Sequence, residues 1–135
     1  MITPVNRLYL PPVKTIFIFL IALWSFSAAV MPITQDEAYY AVWSKILDWG
    51  YFDHPPAVAF VSSLSHLLES SSFFTRLGAV IIGTLTAIVF CRLLINSGVK
   101  DRLAISTGLT LAMGNLMGLV FGFLTTPDTA LLFAW

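Results

Sequence analysis

Three acidic sites in this chain have residue types and spacing that could do chemistry. The first lies in Asp36-Glu37-Ala38-Tyr39-Tyr40, the second in Gly50-Tyr51-Phe52-Asp53-His54-Pro55-Pro56, and the third in Thr126-Pro127-Asp128. A carboxylate can take a proton from a hydroxyl nucleophile. Beside an imidazole such as His54 it can also contribute to a divalent-cation site. Apolar runs of membrane length separate these sites, and carboxylates kept at a water–lipid face point to a use.

The elements that must position them follow from composition. The 135 residues are 58% hydrophobic and only 10% charged, where soluble domains run near a quarter charged. That is a membrane composition. Zero net charge gives no basis for nucleic-acid binding. Cys91 is the only cysteine, so an internal disulfide is excluded. The predicted fold is all-α and integral to the membrane, with transmembrane helices over about 15–35, 73–95 and 103–124 and a fourth beginning at 129. The first run lacks a small-x-small cleavage site and reads as a retained anchor. Arg76 and Arg92, near the two ends of the second span, are expected to snorkel to the interface. The fourth run stops at Trp135, so residues 1–135 read as the N-terminal part of one larger polytopic domain.

Basic residues set the orientation. Arg7 and Lys14 precede the first span, and Arg92, Lys100 and Arg102 surround the turn at 96–102. The positive-inside rule places the N-terminus and that turn of a multi-pass protein in the cytoplasm. The outer loop of about 31–72 and the Thr-Pro-Asp corner then share the opposite side, with all three acidic sites.

Within that loop, Thr34-Gln35-Asp36-Glu37 fits a capping box. The helix it starts places Tyr39, Val42, Trp43 and Ile46 on one stripe, with Gly50 as its left-handed cap. It reads as an amphipathic helix in the interface, anchored at headgroup level by Trp43 and Trp49. Pro55-Pro56 starts a second segment, 57–68, with Val58, Val61, Leu64 and Leu68 on one side and His66 and Glu69 nearby. Two such helices would frame a cavity that a polar head with a lipid tail enters sideways. In the third span Gly114, Gly118 and Gly122 form a small-xxx-small stripe, expected to serve close helix packing.

Each acid also has a structural explanation. Glu37 completes the capping box, and Asp36 meets the positive end of the helix dipole. Asp53-His54 sits where an N-cap belongs, and Thr-Pro-Asp is an ordinary helix start. The aromatic residues read first as interfacial anchors and second as surfaces on which a sugar could stack.

The three blocks in this order, ending in Thr-Pro-Asp-Thr-Ala-Leu-Leu-Phe, resemble the start of the polytopic GT-C glycosyltransferases. The resemblance runs from Thr15 to Trp135 and is to the bacterial relatives of the dolichyl-phosphate-mannose protein mannosyltransferases, with the lipid A aminoarabinose transferase in the same broad group. It implies an enzyme that moves a sugar from a polyprenyl-phosphate donor to an extracytoplasmic acceptor, among membrane lipids. The family's acid of the first outer loop, the proposed catalytic base, falls on Asp36, with Glu37 beside it. The second family acid falls on Asp128. Asp53 and His54 match the motif that shapes the same cavity.

A sugar on a lipid phosphate already has a good leaving group, so the chemistry needs a base for the acceptor and positive charge for the phosphate. Asp36 suits the base, in a direct displacement with inversion, and Asp128 could orient base or acceptor. Tyr39 and Tyr40 are expected to line the substrate site. Arg76 and Lys45 are the candidate phosphate contacts, and a divalent cation on Asp36, Asp53, His54 or Asp128 could replace them. The rival classes are a transporter or flippase segment, and a non-catalytic membrane subunit or remnant. Transporters place ionisable groups inside their spans, often beside broken helices, whereas these acids lie at the surface.

Overall fold

The computed structural model describes residues 11–64 and 71–135. Arg7, His66, Leu68 and Glu69 lie outside the described residues. Among those described there are seven helices and no strand: α1 (Val13–Val30), α2 (Gln35–Trp43), α3 (Ala57–Ser63), α4 (Ser72–Asn96), α5 (Arg102–Met113), α6 (Leu116–Phe121) and α7 (Pro127–Ala134). The all-α expectation holds for them.

Two helices, α1 and α4, are long and apolar enough to cross a membrane, with mean hydropathies of 2.0 and 2.2. Only 22% and 33% of their most apolar windows is buried within the molecule, far less than in the core helix of a soluble domain. Ile18, Phe19 and Phe26 of α1 and Ile81, Leu85 and Ile88 of α4 point outward. Each helix keeps one face for its neighbours. On α1 that face is Ile16, Leu20, Trp24 and Ala28, four residues apart and therefore stacked on one side. It packs with Val80, Ala87 and Cys91 of α4 and with Ile105 and Leu109 of α5.

The third expected span, 103–124, is not a single helix. α5 stops at Met113 and α6 starts at Leu116, and 12 and 6 residues are each too few to cross ~30 Å of hydrocarbon. Asn115 holds the break. Its Oδ1 accepts from the Gly118 N–H at 3.1 Å, and its Nδ2 donates to the Leu111 and Ala112 carbonyls at 3.0 and 2.9 Å. One side chain thus satisfies groups at the end of one helix and the start of the next. Of the glycine stripe, Gly122 gives close helix packing: a Cβ there would collide with the Trp24 ring, and one on Gly83 of α4 would come within 2.8 Å of Gly122 Cα, whereas Gly114 and Gly118 close on Thr110 and on Ala112 and Met113 within the broken segment itself.

Several local boundaries also move. α2 ends at Trp43, where the Ser44 hydroxyl turns back to donate to the Ala41 carbonyl at 2.7 Å. Ile46, Trp49 and Gly50 therefore belong to a loop. Gly50 is not a left-handed cap; among the described residues only Gly98, after α4, has positive φ, at 90°. There glycine is required, because an L side chain resists that conformation. α7 starts at Pro127 rather than 129, with Thr126 as N-cap and proline at the first helical position.

Candidate functional site

The site is assembled around Arg76, in the first turns of α4. Its side chain is fully buried, so it does not snorkel as expected. All five of its N–H groups are used. Nε and Nη2 donate to Glu37 Oε1 and Oε2 at 2.7 and 2.6 Å. The remaining three reach the Ala28, Met31 and Pro32 carbonyls at 3.3, 2.7 and 2.7 Å. These carbonyls belong to the end of α1 and the turn after it, which a helix leaves without intrahelical donors. Arg76 therefore caps α1, binds α2 and lies 5.8 Å from the centre of the Phe123 ring. The phosphate-contact role expected of Arg76 does not fit this geometry, since no donor is left.

Glu37 is the other half of this junction. The capping box is complete: Thr34 Oγ1 accepts from the Glu37 N–H at 3.2 Å, and Glu37 Oε2 accepts from the Thr34 N–H at 3.0 Å. Oε1 also accepts from the Thr125 N–H at 3.2 Å, which ties the corner before α7 to α2. Burial alone would raise the pKa of this carboxyl. The Arg76 hydrogen bonds, the Thr34 and Thr125 N–H groups and the Arg76 charge outweigh that, holding it below the ordinary carboxylate value. Both oxygens are occupied and the group is ionised, which leaves Glu37 a structural anion and a poor proton acceptor for substrate.

Beside this junction Tyr40 meets the second acidic block. Tyr40 follows Glu37 on the inner face of α2, and its hydroxyl lies 3.2 Å from His54 Nε2. His54 Nδ1 lies 2.9 Å from Asp53 Oδ1, though without hydrogen-bond alignment, so the approach is one of charge when the ring is protonated. Burial raises the Tyr40 phenol pKa, and the charges of Asp36, Asp53 and Asp128 raise it further. Carboxylates from α2, the following loop and α7 thus act by charge on one phenol. Asp36 and Asp128 themselves are exposed.

No family model, curated protein or solved structure matches the chain.

Among the described residues no three His, Cys, Asp or Glu side chains converge as a metal site would require, so the expected divalent cation finds no ready ligand set. The aromatic residues form a cluster instead of separate anchors. Trp43 stacks on Tyr51 at 4.3 Å and 12° and meets Tyr39 at 4.2 Å, with Tyr40 and His54 at 5.6 and 5.8 Å. With two rings against it, Trp43 is neither a free anchor nor an open sugar platform. The predicted stripe of α2 does not pack on the protein: Tyr39, Val42 and Ile46 stay exposed, while Glu37 and Tyr40 form the buried face. On α3, Val58 and Val61 are buried and Leu64 is exposed.

Sequence inspection missed three parts of this arrangement. Arg76 is the junction between elements, and its signal was a lone arginine inside an apolar run, which needs an acid partner. Tyr51 pins the loop through its hydroxyl, a role that its place in the Gly-Tyr-Phe-Asp-His block does not signal. Asn115 sits in a Gly-Asn pair, a recognised turn signal even inside an apolar run.

Proposed function

We propose that this chain carries the acceptor-activating end of a membrane glycosyltransferase that uses a polyprenyl-phosphate sugar donor. The observation that supports it is the approach of Tyr40 to His54 and of His54 to Asp53, near enough to Asp36 and Asp128 for their charges to act on the Tyr40 phenol. The resemblance of the three acidic blocks to the GT-C transferases supports it further. Asp36 is the base: it is exposed, it lies in the first turn of α2, and Glu37 next to it already satisfies the capping box. Asp128, exposed in the first turn of α7, orients the acceptor. α1 and α4 cross a bacterial inner membrane with the N-terminus in the cytoplasm, and the exposed stripe of α2 lies in the outer interface.

Arg76 being committed, charge for the leaving phosphate must come from elsewhere. Lys14, Arg92, Lys100 and Arg102 flank the opposite ends of α1 and α4 and cannot supply it. His54 and Lys45 lie on the acidic side.

The broken third segment favours a second reading, a transporter or flippase, because discontinuous helices line transport sites. Against it, the wall of the break contains no ionisable residue. The deciding experiment is Asp36→Asn in the full-length protein expressed from its own gene. Loss of sugar transfer with unchanged membrane insertion supports the reading; unchanged turnover removes Asp36 from the mechanism.

A further inference from the structure

We propose that Glu37 is a positioning residue for the sugar transfer: its contact with the Thr125 N–H sets Asp36 and Asp128 relative to one another. The inference rests on the transferase reading. The Thr125 N–H donates to Glu37 Oε1 at 3.2 Å across 88 residues of sequence, and both residues are 1% exposed. A buried peptide N–H has no water to bond, so it needs an acceptor from the protein. α7 packs chiefly on α3 and α4. The Glu37–Thr125 hydrogen bond is thus the direct tie between α2, which carries Asp36, and the corner that leads to Asp128.

From that contact the path to each acid is short and stiff. On one side Asp36 precedes Glu37 in the first turn of α2. Successive helical residues point about 100° apart, so holding Glu37 inward turns Asp36 outward. Glu37 is held by Arg76 Nε and Nη2 at 2.7 and 2.6 Å and by the Thr34 N–H at 3.0 Å. On the other side Asp128 follows in the first turn of α7. Thr129 braces that stretch, its N–H donating to Thr126 Oγ1 at 3.3 Å and its hydroxyl to the Leu124 carbonyl at 2.8 Å. The two acids bear on one place, since the charges of both act on the Tyr40 phenol. A base and a group that orients the acceptor must keep their spacing, and a displacement of about 1 Å can lower a rate on the order of 100-fold. Cutting the Glu37–Thr125 contact lets the corner drift while both acids remain.

Two changes cut the link and keep both acids. An ester in place of the Thr125 peptide N–H removes that one donor and alters no side chain. Glu37→Asp keeps the charge for Arg76 on a side chain one methylene shorter. Nitroxides at Val42→Cys and Leu131→Cys, both exposed positions, in a Cys91→Ala background report the α2–α7 distance in phosphatidylcholine nanodiscs. Transfer is assayed in the full-length protein from a panel of undecaprenyl-phosphate hexoses and pentoses, with its own membranes as acceptor. The expected result is one narrow distance distribution that broadens in both variants. The ester variant should keep its melting temperature and the KM for donor, with kcat about 10- to 100-fold lower, the pattern of an interaction that serves the transition state. An unchanged distance distribution or full kcat in the ester variant would overturn the proposal. So would a kcat loss explained by a lower melting temperature, which would leave Glu37 a stabilising role alone. No transfer from any donor by the unsubstituted protein would instead remove the transferase reading, and this inference with it.

Discussion

The Glu37 carboxylate and the Arg76 guanidinium meet at 2.6 and 2.7 Å across 39 residues of sequence, with side chains 1% and 0% exposed. Through this pair the end of α1, the start of α2, the first turns of α4 and the corner before α7 share one set of hydrogen bonds. A buried ion pair gains little over a well-packed apolar pair, but removing one partner strands the other.

Glu37→Gln is therefore a severe change, although glutamine could still complete the capping box. It should destabilise the fold by about 3–5 kcal/mol, because Arg76 keeps its charge and loses its counter-ion. Denaturant unfolding in detergent micelles measures this. Glu37→Gln combined with Arg76→Met should cost less than the sum of the two single changes, as expected for residues in direct contact. Simple additivity would show that the pair is not coupled.

The same pair sets an acid limit on stability. The folded pKa of Glu37 lies below its unfolded value, so its contribution is complete above the ordinary carboxylate range and is lost as pH falls through the folded value. The melting temperature should show no Glu37-dependent change from neutral pH down to that range, then an added fall beneath it. In Glu37→Gln this acid limb should shrink; an identical limb in both proteins would assign it to other carboxylates.

What was legible in the sequence follows from range. The apolar runs of α1 and α4, the capping box at Thr34 and the helix start at Thr126 depend on neighbours within a few residues, and each lies close to its expected place. The third span failed because hydropathy records composition and not where the backbone stops, and Gly114-Asn115 lies in the middle of an apolar run. The role of Arg76 was hidden for a different reason. Its partners at Ala28, Pro32 and Glu37 come from two other helices and a turn, a conjunction that no periodicity encodes. The Trp43 cluster is similar, since Tyr51 and His54 reach it only because α2 ends early.

Gly122 tests the close approach of α6 to α1 and α4. A methyl group there meets the Trp24 ring, and Gly83 blocks retreat on the other side. Gly122→Ala should cost about 1–3 kcal/mol, the usual penalty for overpacking. Gly50→Ala, where nothing lies within reach of the added carbon, is the control and should be near neutral. Equal stability of the two variants would mean that α6 does not pack as described.

The loop after α2 makes the last prediction. The Tyr51 hydroxyl accepts from the Asp48 N–H at 3.1 Å and is shared between the Ile46 and Trp43 carbonyls at 2.9 and 3.3 Å, while its ring stacks on Trp43. A loop pinned in this way holds Trp49 94% and Phe52 100% exposed, an arrangement that water disfavours and a bilayer interface rewards. Of the two anchors expected, Trp43 is covered by other rings, so the prediction rests on Trp49 and on Phe52 beside it. An environment-sensitive dye placed by Trp49→Cys or Phe52→Cys, in a Cys91→Ala background, should emit at shorter wavelength in nanodiscs. Shallow nitroxide-labelled lipid should quench it more than aqueous iodide does. Tyr51→Phe should weaken that preference by loosening the loop. Dominant iodide quenching at both positions would place the loop in water and remove the membrane from its explanation.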